Sequence, residues 1–238
     1  MKKAFTLLEL VFVVVIVALL TAVIVPHVKS NPLQEAAIQL VSHIRYMQHL
    51  AILDDKFDPN EKFWFRQKWQ LLFSTAKKTK SYMIFSDSPA LISKAYDGNP
   101  GANNTYTRVE VARNPKNNSK YLIGVPYNSF NGSDTKKLSP ELNLGKKYGI
   151  NAITVTGGST GSSAKRILFD YLGRPYRGNT SSTSKAALQS SVDKIAKTAI
   201  YIKLCTGVCI DPKTSANSSS EIVIKIEPET GYVHIYSF

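Results

Sequence analysis

The chain has 238 residues, 43% hydrophobic and 20% charged, which excludes a disordered or collagen-like polymer and leaves one head domain of ordinary size as the natural arrangement. Thirty Lys and Arg against 17 Asp and Glu give a formal charge of +13, a field that draws acidic partners. With only two cysteines, a disulfide-built miniature scaffold is excluded as well.

The chain opens on Lys2 and Lys3, followed by an apolar run. Phe5 to Leu8 lead to a single acid, Glu9, and from Leu10 to Val25 every residue is apolar except Thr21. About 20 residues at about 1.5 Å each span roughly 30 Å, the thickness of a bilayer's hydrocarbon layer. The run therefore predicts a transmembrane helix over residues 5–25. It is too long for a cleaved secretory signal, and it ends in Val25-Pro26-His27 with no small-residue cleavage site. Lys2 and Lys3 before the run, with little base after it until Arg45, place the N-terminus in the cytoplasm and the remainder outside.

Apolar positions then recur at Leu33, Ala37, Leu40, Val41, Ile44, Met47 and Ala51, with Gln34, Glu35, Gln39, Ser42, Arg45 and Gln48 between them. That spacing predicts an amphipathic helix outside the membrane over residues 26–54. Pro32 suits a first helical turn with Asn31 as its cap. The segment is either a second helix or the continuation of one long helix bent at Pro26.

Residues 55–238 read as strands and turns. Candidate strands lie at 63–74, 82–85, 108–111, 121–125, 153–156, 166–171 and 199–204. The clearest pair is last: Ile222, Ile224 and Ile226 alternate with Val223 and Lys225, Pro228 to Gly231 turn, and residues 232–236 return. Stretches rich in Asn, Ser, Gly and Lys at 97–104, 113–120, 157–165, 178–191 and 213–220 read as surface loops. Cys205 and Cys209, an even pair in an exported head, read as a disulfide, with free thiols as the alternative.

Little else points to chemistry. His27, His43, His49 and His234 share no ligand spacing, and the run from Gly157 to Gly161 lacks the Lys of a nucleotide loop. Asp54, Asp55, Asp58, Asn60 and Glu61 cluster without the spacing of a calcium loop. No cofactor, no metal and no catalytic constellation is expected, and the chain reads as a non-enzyme. Basic pairs at Lys77-Lys78, Lys136-Lys137, Lys146-Lys147 and Lys165-Arg166, and Arg174 with Arg177, would attract nucleic acid without regard to sequence; the alternatives are a solvated basic surface or attraction to acidic partner subunits. Their scatter over several loops favours subunit docking.

The opening Lys2-Lys3-Ala4-Phe5-Thr6-Leu7-Leu8-Glu9-Leu10 closely resembles the prepilin leader and methylation motif of type IV pilins and type II secretion pseudopilins. The resemblance implies a leader of residues 1–4, cut by prepilin peptidase between Ala4 and Phe5, with Phe5 then N-methylated. Members usually carry Gly where Ala4 stands. A carboxylate inside an apolar segment costs about 2.5–3.5 kcal/mol, so Glu9 needs a partner. The cationic Phe5 terminus of a neighbouring subunit would supply one, making Glu9 an assembly residue. The segments 40–52, 167–175 and 229–233 are similar to minor pseudopilins of the type II secretion H class. The fold this implies is α+β, a long N-terminal transmembrane and assembly helix packed against a β-rich globular head.

The function expected is a minor structural subunit of a type II secretion pseudopilus in the bacterial inner membrane, its head periplasmic and its partners other pilin-like subunits. A minor type IV pilin of a pilus or DNA-uptake machine, and a single-span periplasmic binding protein, are the alternatives.

Overall fold

The computed structural model describes residues 6–24, 31–61, 63–74, 79–89, 96, 98, 100, 110–125, 136–158, 165–178, 195–207 and 220–236. The chain divides into two units, Met1–Pro32 and Leu33–Phe238.

In the first unit the apolar run folds as α1 (Leu7–Ile24), a helix of 18 residues. Thr21 satisfies its hydroxyl within the helix, donating to Val17 O at 2.8 Å and Ala18 O at 2.9 Å. The structure corrects the expected fold class here. No long N-terminal helix runs from a membrane into the head: α1 closes at Ile24, and the amphipathic stretch is a separate helix, α2 (Pro32–Leu53). Among the described residues no helix is long and apolar enough to cross a membrane. Pro26 stands between the two helices in the sequence, and a proline ends or bends a helix because it lacks the N–H and crowds the preceding turn. The chain is mostly β-sheet, with three helices among the described residues.

The second unit is organised around α2. Pro32 opens it, at the one helical position where a missing N–H costs nothing. Leu33, Ala36, Ala37, Leu40, Val41, Ile44, Met47 and Ala51 line its buried face. Leu40, Ile44 and Met47 are wholly withdrawn from water, each worth about 1.5–3 kcal/mol of apolar burial. What they meet is two antiparallel sheets.

Sheet 1 is built from β1 (Trp69–Ser74), β2 (Ser81–Ser86), β6 (Arg166–Phe169) and β7 (Pro175–Arg177), in the order β2-β1-β6-β7. Sheet 2 takes β5 (Ala152–Gly157), β8 (Ile200–Cys205), β9 (Glu221–Ile226) and β10 (Val233–Tyr236), in the order β10-β9-β8-β5. A hairpin of β3 (Arg113–Asn114) and β4 (Asn117–Tyr121) and a short helix, α3 (Leu144–Tyr148), complete the described elements. The chain thus visits sheet 1, crosses to sheet 2 for β5, returns for β6 and β7, and ends in sheet 2.

Registers follow the alternation in the sequence. Ile202 on β8 stands opposite Ile224 on β9, and Ile235 on β10 stands opposite the same residue from the other side. Ile200, Ile202, Leu204, Ile222, Ile224 and Ile226 therefore share one inward face of sheet 2 and join the α2 face in a single core cluster. Strand β2 is buried on both faces: Tyr82 and Ile84 point to this core, while Met83 and Phe85 enter a second cluster with Val111, Tyr121, Ile123 and Leu138.

Local structure departs from expectation in several places. Of the strands expected at 108–111 and 121–125, Val111 and Ile123 make only isolated bridges, to Phe85 and Met83, and β4 ends at Tyr121. The aromatic run at 63–74 begins with a 3-10 turn, Trp64–Gln67, before becoming strand at Trp69. The polar stretch at 113–120, expected as a loop, is the β3–β4 hairpin. Its turn is held by Asn114 and Asn117, whose side chains accept from Lys116 N at 2.9 Å and Ser119 N at 3.1 Å.

Candidate functional site

The start of α1 is built by reciprocal capping. Glu9 Oε2 accepts from Thr6 N and from Thr6 Oγ1, both at 2.9 Å, while Glu9 N donates to Thr6 Oγ1 at 3.3 Å. Thr6-Leu7-Leu8-Glu9 is a capping box, and the carboxylate expected to reach another subunit has a partner within its own chain. The Thr-x-x-Glu spacing ahead of an apolar run was the signal that could have found it. Ala4 and Phe5 lie outside the described residues. Beyond the cap, α1 is apolar on every side: Leu7 and Leu8 are each 81% exposed, Phe12 67% and Leu19 64%.

In the second unit, Cys205 is fully buried at the end of β8 and is disulfide-bonded; Cys209 lies outside the described residues. Of the histidines, His43 is buried on α2, its Nδ1 sharing a hydrogen bond with Tyr82 Oη at 2.7 Å. Gln39 Nε2 donates to the same hydroxyl at 3.0 Å, and Tyr148 Oη donates to Gln39 Oε1 at 2.7 Å. Burial, with help from the Lys116 charge, pushes His43 down to about 4, so it is neutral and structural. Burial also pushes the Tyr82 hydroxyl up. His234 sits on β10, stacked on Tyr232 at 5.2 Å, and His27 lies outside the described residues.

The acid cluster turns inward on its own loop. Asp54 pairs with Lys56 at 2.5 Å and accepts from Trp69 Nε1 at 3.0 Å. Asp55 and Asp58 accept from the backbone amides of Phe57 and Asn60. Among the described residues no group of three His, Cys, Asp or Glu could hold a metal ion. The turn after β6 is similarly self-contained. Asp170 accepts from Leu172 N, Arg174 N, Arg174 Nε and Tyr176 Oη, all within 3.0 Å, and Gly173 closes it at φ 75°. Nearby, Lys68 donates to Phe65 O and lies against the rings of Trp64, Phe65 and Tyr176; burial pushes its ammonium down to about 8. A cleft of about 330 Å³ between Lys56, Gln67, Trp69, Ser86, Asp87, Ser88 and Glu110 has its acids committed to backbone, Asp87 to Gly98 N and Glu110 to Ser88 N.

Sequence reasoning missed a pole of the head where apolar side chains face water. Seven large apolar residues outside α1 are exposed among the described residues, and six of them, Ile52, Leu53, Phe57, Tyr171, Leu172 and Tyr232, sit around the C-terminal end of α2. They come from four separate stretches of chain, so no local pattern announces them. Gln48 gathers two of those stretches, donating from Nε2 to Gly173 O and to Thr230 O, both at 2.9 Å.

Compared with known families, with curated proteins and with solved structures, the chain finds no match.

Proposed function

We propose that this chain is a structural, non-enzymatic subunit of a pilin-like filament, of the kind found in type II secretion pseudopili, held at the bacterial inner membrane until it assembles through α1. One observation supports the reading above the rest: α1 presents Leu, Val, Ile and Phe on every side, from Leu7 to Leu20, with nothing polar after Glu9 in that span. A helix apolar all round is stable only when other apolar matter surrounds it, here the α1 helices of neighbouring subunits. The leader-like residues before it, Lys2, Lys3 and Ala4, supply the recognition site for prepilin peptidase, and the head works in the periplasm, where a disulfide at Cys205 is stable.

Mass spectrometry of the chain expressed with an active prepilin peptidase tests this. The expected product starts at N-methylated Phe5. Recovery of Met1 alone, with the peptidase shown to be active on another substrate, overturns the reading.

A further inference from the structure

The two ends of the head differ in chemistry. At the C-terminal end of α2 stands the exposed apolar group: Ile52 and Leu53 on the helix, Tyr171 and Leu172 on the β6–β7 turn, Tyr232 beside the β9–β10 turn. They form one surface. A Cβ placed on Gly173 would stand 3.3 Å from Ile52 Cδ1, and one on Gly231 would stand 2.3 Å from Gly173 O, so the helix end and both turns touch. The exposed carboxylates on this rim are Asp55 and Asp58 on the loop after α2 and Glu229 on the turn; of the bases here, Lys56 is paired to Asp54, Arg174 to Asp170, and Arg45 lies over the Tyr232 ring and donates to Val233 O.

The other end carries lysines. Gly145 N donates to Lys80 O, which sets α3, with exposed Lys146 and Lys147, against Lys80. Burial and the neighbouring Lys80 charge hold Lys165 below the ordinary ammonium range, as like charges on one surface do. Lys116 joins through Asn114, whose amide donates to Glu141 Oε1 at 2.8 Å one turn before α3. Glu141 is the acid these contacts bring in. The strands fix the two ends apart: β1 runs from Trp69, beside Asp54, to Ser74, and β2 starts beside Lys80 and runs back.

We propose that the head stacks end to end on further copies of itself, the apolar, acid-rimmed pole of one head seating on the lysine-rich pole of the next. Charge complementarity selects the occupant: the surface that suits the acidic rim is present on the same molecule, facing away from it. Such a contact is heterologous, joining two different patches, and it propagates as an open line of subunits instead of closing as a dimer. Leu, Ile, Phe and Tyr at the centre with charge at the rim is the composition of a specific interface. The contact goes beyond the role proposed for α1 and uses none of its residues.

Sedimentation of the full-length chain in detergent micelles tests it, at roughly 100 μM protein, enough to register contacts much weaker than about 1 μM. Four proteins are compared: wild type, Asp55→Lys with Asp58→Lys, Lys146→Glu with Lys147→Glu, and Glu9→Ala. Wild type is expected to associate in series and to weaken roughly tenfold or more between about 0.1 M and about 1 M salt, as the screening length falls from about 10 Å to about 3 Å. Each charge variant alone is expected to lose association, and an equal mixture of the two to regain it, since each then offers the pole the other lacks. A monomeric wild type, or a mixture that stays dissociated, overturns the proposal. Loss of association in Glu9→Ala with none in either charge variant assigns the contact to α1 and also overturns it.

Discussion

Lys203 Nζ on β8 lies 2.8 Å from Glu221 Oε2 on β9, with the two side chains 0% and 5% exposed. The residues are not register partners, since Lys203 faces Val223 and Glu221 faces Cys205, so the pair spans the ladder diagonally. A buried ion pair of this kind is costly to break by halves. Lys203→Met is expected to destabilise the head by about 3–5 kcal/mol, because it strands a carboxylate away from water. Lys203→Met combined with Glu221→Leu should recover most of that loss. Denaturant melts of the two proteins check the difference, and equal losses would show the pair to be uncoupled.

Gly231 holds φ 65° at a point where a Cβ would collide with Gly173 O at 2.3 Å. Gly231→Ala meets two obstacles at once, an unfavourable backbone region and a clash with main chain that has no room to move. A loss of about 2–4 kcal/mol is expected. Gln48→Ala should cost less, about 1–3 kcal/mol, since it leaves two carbonyls without a donor but creates no clash. Thermal melts that rank the two in the opposite order would refute this account of the pole.

His43 makes the head acid-sensitive. In the unfolded chain it takes up a proton below its ordinary value near 6.5, while in the folded head it resists until about 4. Between those values the unfolded state binds more protons, so stability falls as pH falls through that window. The expected loss is on the order of 3 kcal/mol, at about 1.4 kcal/mol per unit. His43→Leu should flatten the dependence between pH 6.5 and 4 while lowering stability at neutral pH, because Tyr82 loses a hydrogen-bond partner. Unfolding free energies measured across that range for both proteins decide it.

The disulfide at Cys205 is expected to contribute about 2 kcal/mol if it closes the short loop to Cys209, on the chain-entropy reckoning. Reduction should therefore lower the melting temperature by several degrees without unfolding the head at ambient temperature. A reduced protein that melts as the oxidised one does would show that the bond constrains nothing.

The elements legible in the sequence were those whose side chains alternate or recur against a shared core. Ile222, Ile224 and Ile226 declared β9, and Leu40, Ile44 and Met47 declared the buried face of α2. The β3–β4 hairpin was illegible because Asn117, Asn118 and Ser119 face water on both sides and the fold there rests on Asx turns. The strand expected through Trp64 and Phe65 yields to a 3-10 turn, since those rings pack on each other and on Lys68, not across a sheet. The one long helix gives way to two, α1 and α2, with Pro26 between them in the sequence and Pro32 at the start of the second. The lysines of one pole, Lys146, Lys147 and Lys165, were visible as basic pairs, but the apolar pole was not, because Leu53, Tyr171 and Tyr232 become neighbours only after α2, sheet 1 and sheet 2 have met.

The order in which the chain visits its sheets has a mechanical consequence. β5 precedes β6 and β7 in sequence but pairs with β8, which follows them, along six residue pairs from Ala152↔Cys205 to Gly157↔Ile200. The molecule is latched by β5, a strand from the earlier part of the chain that completes the sheet of the later part. A protease that cuts once between residues 178 and 195 would produce two fragments with no covalent link. They would still elute together from a sizing column and part only in denaturant.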